Sequence, residues 1–470
     1  MNQSSQRSVR PEFAGMAPST KGRVTGTSSL NRIYSWIICV VVLTAPIPLA
    51  SHRPIFWLMW AVIIGALLAA HLVGTALLDK DRKLRLYAYP VILTGTVVFV
   101  GYALVQLVPG LGASLAGPGS GVALSAISLD SSQTFVSVIR IVTYAMLFAL
   151  VLEVATNSER VRRIGWVIFA GVVAHAAWGL FAVNAFDGVL VLGDADDASD
   201  AVRGTFANRN SFATFLGMGI CLGSALILNE SLKPRMRRPF RRVIDADRVQ
   251  QLVLWLGIVV LFLALLRTQS RMGLGATLVG LFIVVLLMRQ KARGFWIALM
   301  QATAALIAGP LLATLVFGQD TLNRAVLGDV DLDTRFELYR QIVTMIQDRP
   351  LTGWGLDGFA TAFPLYHSLP LSPSALWDLG HNTYLTLWAE MGLIVGSIPM
   401  ILLLWVSIKL VRMIVQRSSH FVLPVAALGA ITVGAVHSLV DFSLEMQANV
   451  FFLIVLIGLG LADLRSSRDQ

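Results

Sequence analysis

Arginine carries the most specific chemistry in this chain. Arg203 and Arg209 stand in AVRGTFANRNSFATFL, directly before an apolar run, and Arg267 and Arg271 stand in RTQSRMG, between two apolar runs. Arg335 and Arg340 lie in TRFELYRQIVTMIQ. A guanidinium keeps its charge and meets phosphate oxygens with bidentate geometry. Helix N-termini expected after Arg209 and Arg271 would add backbone donors suited to an anion. Asn208 and Asn210, on either side of Arg209, are supporting polar groups.

Proton transfer is the second chemistry in view. His381 and Asn382 open HNTYLTLWAEMGL, just before another apolar run. A helix N-terminus disfavours an imidazolium, and a neutral imidazole is a suitable general base. The plainer role for His381 is a capping or interfacial one. Glu390 would lie about 13 Å further along the same helix at the usual rise, too far to pair with His381. An intramembrane carboxylate is a functional candidate, and a structural partner inside the bundle accounts for it equally well. His437 and Asp441, in HSLVDFSLEMQ, could form a supporting ion pair or a further part of the site.

The elements that must position these groups follow from composition. The chain has 470 residues, 56% hydrophobic and only 14% charged, against about a quarter charged in ordinary soluble proteins. The expected fold class is an all-α polytopic membrane protein. Runs long enough to span a bilayer number about twelve: 33–50, 55–78, 86–108, 134–155, 164–183, 210–229, 250–266, 272–288, 295–317, 382–408, 421–436 and 449–464. The seventh, eighth and eleventh are short. Residues 1–32 read as a disordered basic tail, 33–464 as the transmembrane domain and 465–470 as a second tail. The first run follows that polar leader without a convincing cleavage site, so it reads as a retained anchor.

Alternating sides from a cytoplasmic N-terminus puts every lysine and most arginines on inner segments, as the positive-inside rule requires. Both termini are then cytoplasmic. The net charge of +10 is mostly this topology signal, and KPRMRRPFRR (233–242) needs no nucleic-acid partner. The site arginines fall outside, where that rule disfavours them. The outer connections 109–133, 184–209 and 318–381 are long, and loops of such length are usually functional or disordered. Acidic residues gather there too, in GDADDASD (193–200) and GDVDLD (328–333). Neither forms a calcium loop with a closing Glu, and no metal or cofactor is expected. Cys39 and Cys221 lie in apolar runs and offer neither a disulfide framework nor metal spacing.

The largest outer loop, 318–381, has internal order. Phe336, Tyr339, Ile342, Val343 and Ile346 fall on one helical stripe, with Arg335, Glu337, Arg340 and Gln341 on the remaining face. That pattern predicts an amphipathic helix lying at the outer interface. DRPLTGWGLDGF (348–359) then ends it. Gly353, Gly355 and Gly358 match G-x-G-x-x-G by letter alone, since no strand precedes them. Their meaning is a tight turn, with Gly355 among the groups whose backbone amides can approach something closely.

An arginine cluster at an outer membrane interface suits a phosphate held by a lipid tail. A polyprenyl diphosphate carrying a glycan fits: tail in the bilayer, diphosphate at the arginines, sugars in the outer loops. Arginines can neutralise the leaving diphosphate, and an acceptor hydroxyl gives His381 a proton to take. RGTFANRNSFATFL, SRMGLGATLVGL, DRPLTGWGLDGF and HNTYLTLWAEMGL, in that order, resemble the O-antigen ligase and O-antigen polymerase superfamily of bacterial multi-span glycosyltransferases. The resemblance is best from about 200 to 400. It implies metal-independent transfer from undecaprenyl diphosphate on the periplasmic face of the inner membrane to a lipid or glycan acceptor. It assigns Arg203 or Arg209, with Arg271, to the diphosphate, and His381 to the acceptor. Ligase and repeat-unit polymerase remain alternatives. A twelve-span secondary transporter is the alternative of another class; it should show related halves and broken midplane helices, and no repeat relates 33–229 to 250–464.

Overall fold

The computed structural model describes residues 21–78, 84–112, 125–185, 201–232, 246–317, 330–374, 376–417 and 419–462. GDADDASD, KPRMRRPFRR, residues 1–20 of the tail, 318–329 and the terminal 465–470 lie outside these. The described chain is helical, with no strand among its residues. We number the helices α1 (Lys21–Thr44), α2 (Pro54–Leu78), α3 (Pro90–Val105), α4 (Ser131–Val154), α5 (Ser158–Ala185), α6 (Arg209–Leu232), α7 (Ala246–Arg267), α8 (Arg271–Arg293) and α9 (Phe295–Phe317). After the large connection come α10 (Val330–Asp348), α11 (Phe359–Ala362), α12 (Thr383–Gly396), α13 (Ile398–Gln416), α14 (Val422–His437) and α15 (Gln447–Leu461).

Among the described residues, seven helices are long and apolar enough to cross a membrane: α2, α4, α5, α6, α7, α8 and α13. Five shorter apolar helices accompany them, in α1, α3, α9, α14 and α15. Two of the runs read as short in sequence, the seventh and eighth, are full-length spans at Arg248–Arg267 and Arg271–Arg293. The outward faces carry exposed apolar side chains, such as Leu252, Trp255, Leu256 and Val259 on α7, which in a folded chain mark a lipid surface.

The tenth run, 382–408, is not one helix. Gly392 takes φ +72°, a backbone that L side chains rarely adopt. A Cβ there would meet the Leu351 carbonyl oxygen at 2.3 Å. The turn carrying Leu351 crosses so closely that the helix must break. The apolar span is displaced to Ile398–Gln416; α12, itself interrupted at Gly392 and ending at Gly396 before Ser397, is 14 residues long, too short to span a bilayer.

Helices α6, α8 and α14 form the centre. The α6 span is 89% buried within the protein, the highest share of the seven. Small residues allow this approach: a Cβ on Gly280 of α8 would lie 2.9 Å from the Gly429 carbonyl of α14. The connections sort to two ends. At one, Val202 N–H donates to Arg267 O (2.9 Å), Leu129 N–H to Trp354 O (3.1 Å) and Thr383 N–H to Ser438 O (3.1 Å). At the other, Lys291 donates to Val415 O and Arg417 O, and Arg417 to Ala462 O. The alternating pattern thus gathers the candidate residues at a single end.

Candidate functional site

Two capped helix N-termini build the cationic half. Asn208 caps α6, its Oδ1 accepting the N–H groups of Asn210 (2.7 Å) and Ser211 (3.2 Å); Arg209 is the first helical residue and is half-buried. Ser270 caps α8, its Oγ accepting Gly273 N–H at 3.2 Å; Arg271 follows and is exposed. The two N-termini pack directly, since a Cβ on Gly273 would lie 2.5 Å from Ala213 Cβ. Arg203 is buried in the segment that Val202 anchors to Arg267, and Arg267 is half-buried at the end of α7. Gln269, in the three-residue turn between Arg267 and Arg271, sits at φ +55°. Such strained backbone on a non-glycine residue is held by its surroundings and clusters at functional sites.

His381 sits at φ +49°, another such residue at this end. Its carbonyl accepts Tyr339 Oη–H at 2.8 Å, and its ring stands edge-on to Phe442 at 4.9 Å between centroids. Asn382 is the N-cap of α12: Oδ1 accepts Tyr384 and Leu385 N–H (3.0 and 3.1 Å), and Nδ2 donates to Leu439 O (2.8 Å). Tyr384 Oη donates to Ala435 O at 2.7 Å. The histidine segment is therefore fastened to the connection between α14 and α15.

That connection joins the two halves. Asp441 is fully buried. It accepts from Asn210 Nδ2 at 3.4 Å and from Ser443 Oγ. His437 shares a 2.5 Å hydrogen bond with Thr214 of α6 and a longer one, 3.5 Å, with the Ser443 hydroxyl that also donates to Asp441. The spacing of His437 and Asp441 suggested one ion pair. Because α14 ends at His437, the two side chains instead fasten separate points of α6.

The large loop contributes less cation than its sequence suggests. Arg335 Nη1 donates to Val440 O at 2.7 Å, so it reaches the joining connection. Arg340 has an 83% exposed side chain and pairs only loosely, at 3.9 Å, with Glu337 on its own helix. The buried face of α10 is also rotated from the expected stripe. Leu338, Gln341, Ile342, Met345 and Ile346 are buried, while Phe336 (67% exposed) and Val343 (40%) face outward. The helix packs against α12 and the 354–371 segment rather than lying free. Gln341 is drawn inside because Ser368 supplies both a donor and an acceptor.

Gly355 and Glu390 serve each other. The Gly355 N–H donates to Glu390 O at 3.0 Å, and Gln106 Nε2 reaches the same carbonyl at 2.9 Å. The Glu390 carboxylate accepts Phe359 N–H at 3.2 Å. The tight turn approaches protein backbone, and Glu390 is buried in protein outside the spans. Burial first, then Asp357 and Glu445, raises its carboxyl well above the usual range.

Beneath α12 lies a cavity of about 360 Å3 whose polar end includes Arg140, Asp357, Thr383, Glu390, Ser438 and Glu445. Arg140 pairs with Asp357 at 3.2 Å and stacks on Trp57 at 4.0 Å. Asp357, at φ +59°, also accepts from Ser137 (2.8 Å) and Gln133 (2.5 Å). Asp357, Ser438 and Glu445 are polar residues whose importance the sequence left unmarked. Their one visible signal was the charge of Arg140 inside an apolar run, which demands a partner. Among the described residues no group of three or more His, Cys, Asp or Glu side chains could hold a metal ion.

Apolar helices spanning the chain, and one polar end built from its connections, define a multi-span helical membrane protein. Residues 256–400 match the family model described as O-antigen ligase, and this match supports the resemblance of that segment to the O-antigen ligase superfamily. The matched segment runs from α7 into α13 and contains Arg267, Arg271 and His381, but neither Arg209 nor Asp441. No curated protein matches the chain.

Proposed function

We propose that this protein is a bacterial inner-membrane glycosyltransferase. It moves a glycan from a polyprenyl diphosphate, such as undecaprenyl diphosphate, to an acceptor hydroxyl at the periplasmic face, in surface polysaccharide or lipopolysaccharide synthesis. The observation that carries this reading is the Asn210–Asp441 contact. It ties the capped, arginine-bearing start of α6 to the connection that also holds His381 and Asn382. An anion site and a candidate base thus share one frame.

In the proposed step the acceptor oxygen forms a bond to the sugar anomeric carbon. The bond from that carbon to the diphosphate oxygen breaks, its electron pair leaving with the lipid diphosphate. His381 takes the acceptor proton. Arg209 and Arg271, with Arg203 and Arg267 behind them, hold the charge that grows on the leaving group. Donors preorganised in this way commonly contribute roughly 10²–10³-fold each. Incubating the purified protein with a lipid-diphosphate glycan and candidate acceptors, and sizing the products, tests the reading. One transfer per acceptor indicates a ligase and a ladder of repeats a polymerase; no transfer to any acceptor overturns it.

A further inference from the structure

The cavity beneath α12 is separate from the arginine-bearing N-termini of α6 and α8, none of whose residues lines it. Its walls are apolar faces of α3, α4, α13 and α15. Along α4 it runs from Arg140 to Phe148, roughly 12 Å of helix rise. Its deeper walls include Leu93, Phe148, Leu403 and Ile454, which offer nothing to a polar ligand. The upper end is different. Ser438 Oγ, Glu445 Oε1 and Arg140 Nε are buried there and have no hydrogen-bond partner among the described residues. Ser438 is 1% exposed and Arg140 8%. Buried polar atoms in native proteins are nearly always paired, so this end is built to be completed by a ligand.

The unpaired atoms define its chemistry. Arg140 Nε donates, Ser438 Oγ does either, and Glu445 Oε1 accepts or, with its carboxyl protonated, also donates. One or two hydroxyl groups satisfy all three, because a hydroxyl both donates and accepts. A phosphate suits the end poorly: the single guanidinium is already engaged by Asp357, and Glu390 and Glu445 add further carboxyls. We propose that the cavity binds a lipid by one aliphatic chain, with an uncharged, hydroxyl-bearing head seated among Arg140, Ser438 and Glu445. Thr383 and Ser438 line the cavity and are bonded to each other two residues from His381. On the glycan-transfer reading, and resting on it, such a lipid presents its hydroxyl toward that histidine.

Photolabelling tests binding without turnover. Purified full-length protein is irradiated with two diazirine probes of one acyl chain, a monoacylglycerol and a lysophosphatidic acid. Labelled peptides are then mapped. The expected result is labelling of 140–148 and 450–457 by the monoacylglycerol, at least fivefold above the phosphate probe. Ala145→Trp, which fills the cavity, should cut that labelling at least fivefold while the lipid-facing α7 peptides label as before. Ser438→Ala removes one oxygen without altering shape and should erase most of the preference between probes. Equal labelling by both probes, or labelling indifferent to both substitutions, overturns the proposal. These outcomes are independent of glycan transfer, which the donor–acceptor assay reads separately.

Discussion

Asn210 and Asp441 stand 231 residues apart in sequence, and their side chains meet at 3.4 Å. The contact closes the site end, because Asn210 belongs to the capped turn that starts with Arg209 and Asp441 to the connection that holds Asn382 and Thr383. Removing a buried partner leaves its neighbours unsatisfied, at about 1–3 kcal/mol. Asp441→Ala should therefore lower donor affinity and turnover together, with the protein still inserted. Binding isotherms and initial rates on the same preparation check this; an effect on turnover alone would show that Asp441 does not support the arginine half.

Arg209→Ala and Arg271→Ala should each reduce transfer by roughly 10²–10³-fold, the range for loss of one charge-stabilising donor. Arg340→Ala should leave it within about twofold, since that side chain is 83% exposed and bonded only within its own helix. Glycan product from membranes holding equal amounts of each variant is the measurement, and normal output from both Arg209→Ala and Arg271→Ala would sink the diphosphate assignment.

His381→Ala should lower turnover by about 10²–10⁴-fold, the usual share of general-base help, and leave donor affinity nearly unchanged. If donor binding collapses to the same degree, the histidine holds the fold of the site rather than a proton.

Gly392→Ala should destabilise the protein by at least about 1–3 kcal/mol, from the φ +72° backbone alone. The added Cβ also meets the Leu351 carbonyl at 2.3 Å. Thermal unfolding in detergent should show a clear drop for Gly392→Ala and little change for Gly275→Ala, whose Cβ meets nothing within 4 Å.

Stability should fall as pH rises through the neutral range. Burial, with Asp357 beside it, pushes Glu445 up to about 8, against roughly 4.3 in an unfolded chain. Between those values the folded state keeps a proton that the unfolded state has released. Folding is then progressively disfavoured as pH rises from about 4.3, by up to about 1.4 kcal/mol per unit, and the effect levels off above about 8. Glu445→Gln should lessen this slope between pH 5 and 8, leaving the share that the likewise raised Glu390 carboxyl contributes. A wild-type melting profile already flat across that range would contradict it.

Much of this architecture is local in origin. Runs of apolar residues such as 134–155 and 272–288 dictate helices because a bilayer leaves backbone groups no other partner. Asn208 and Asn382 could be read as polar groups at the starts of such runs, and the arginines there stood out because membrane topology disfavours them. The cavity and its polar end were not legible. Arg140, Asp357, Glu390 and Glu445 come from four separate stretches, and no spacing along the chain relates them. The same holds for the break at Gly392: in sequence 382–408 is one unbroken apolar run, and the close crossing of Leu351 divides it.

The sequence by itself determined a membrane-embedded helical protein with arginines and a histidine placed at the starts of apolar runs, because hydropathy and charge act residue by residue. The tertiary structure alone decided which of those residues share a frame. Arg335 is drawn to Val440 while Arg340, five residues on, is left in the open. Helix α10 turned its buried face to fit α12, and such rotation depends on the shape of a neighbour that lies elsewhere in the chain.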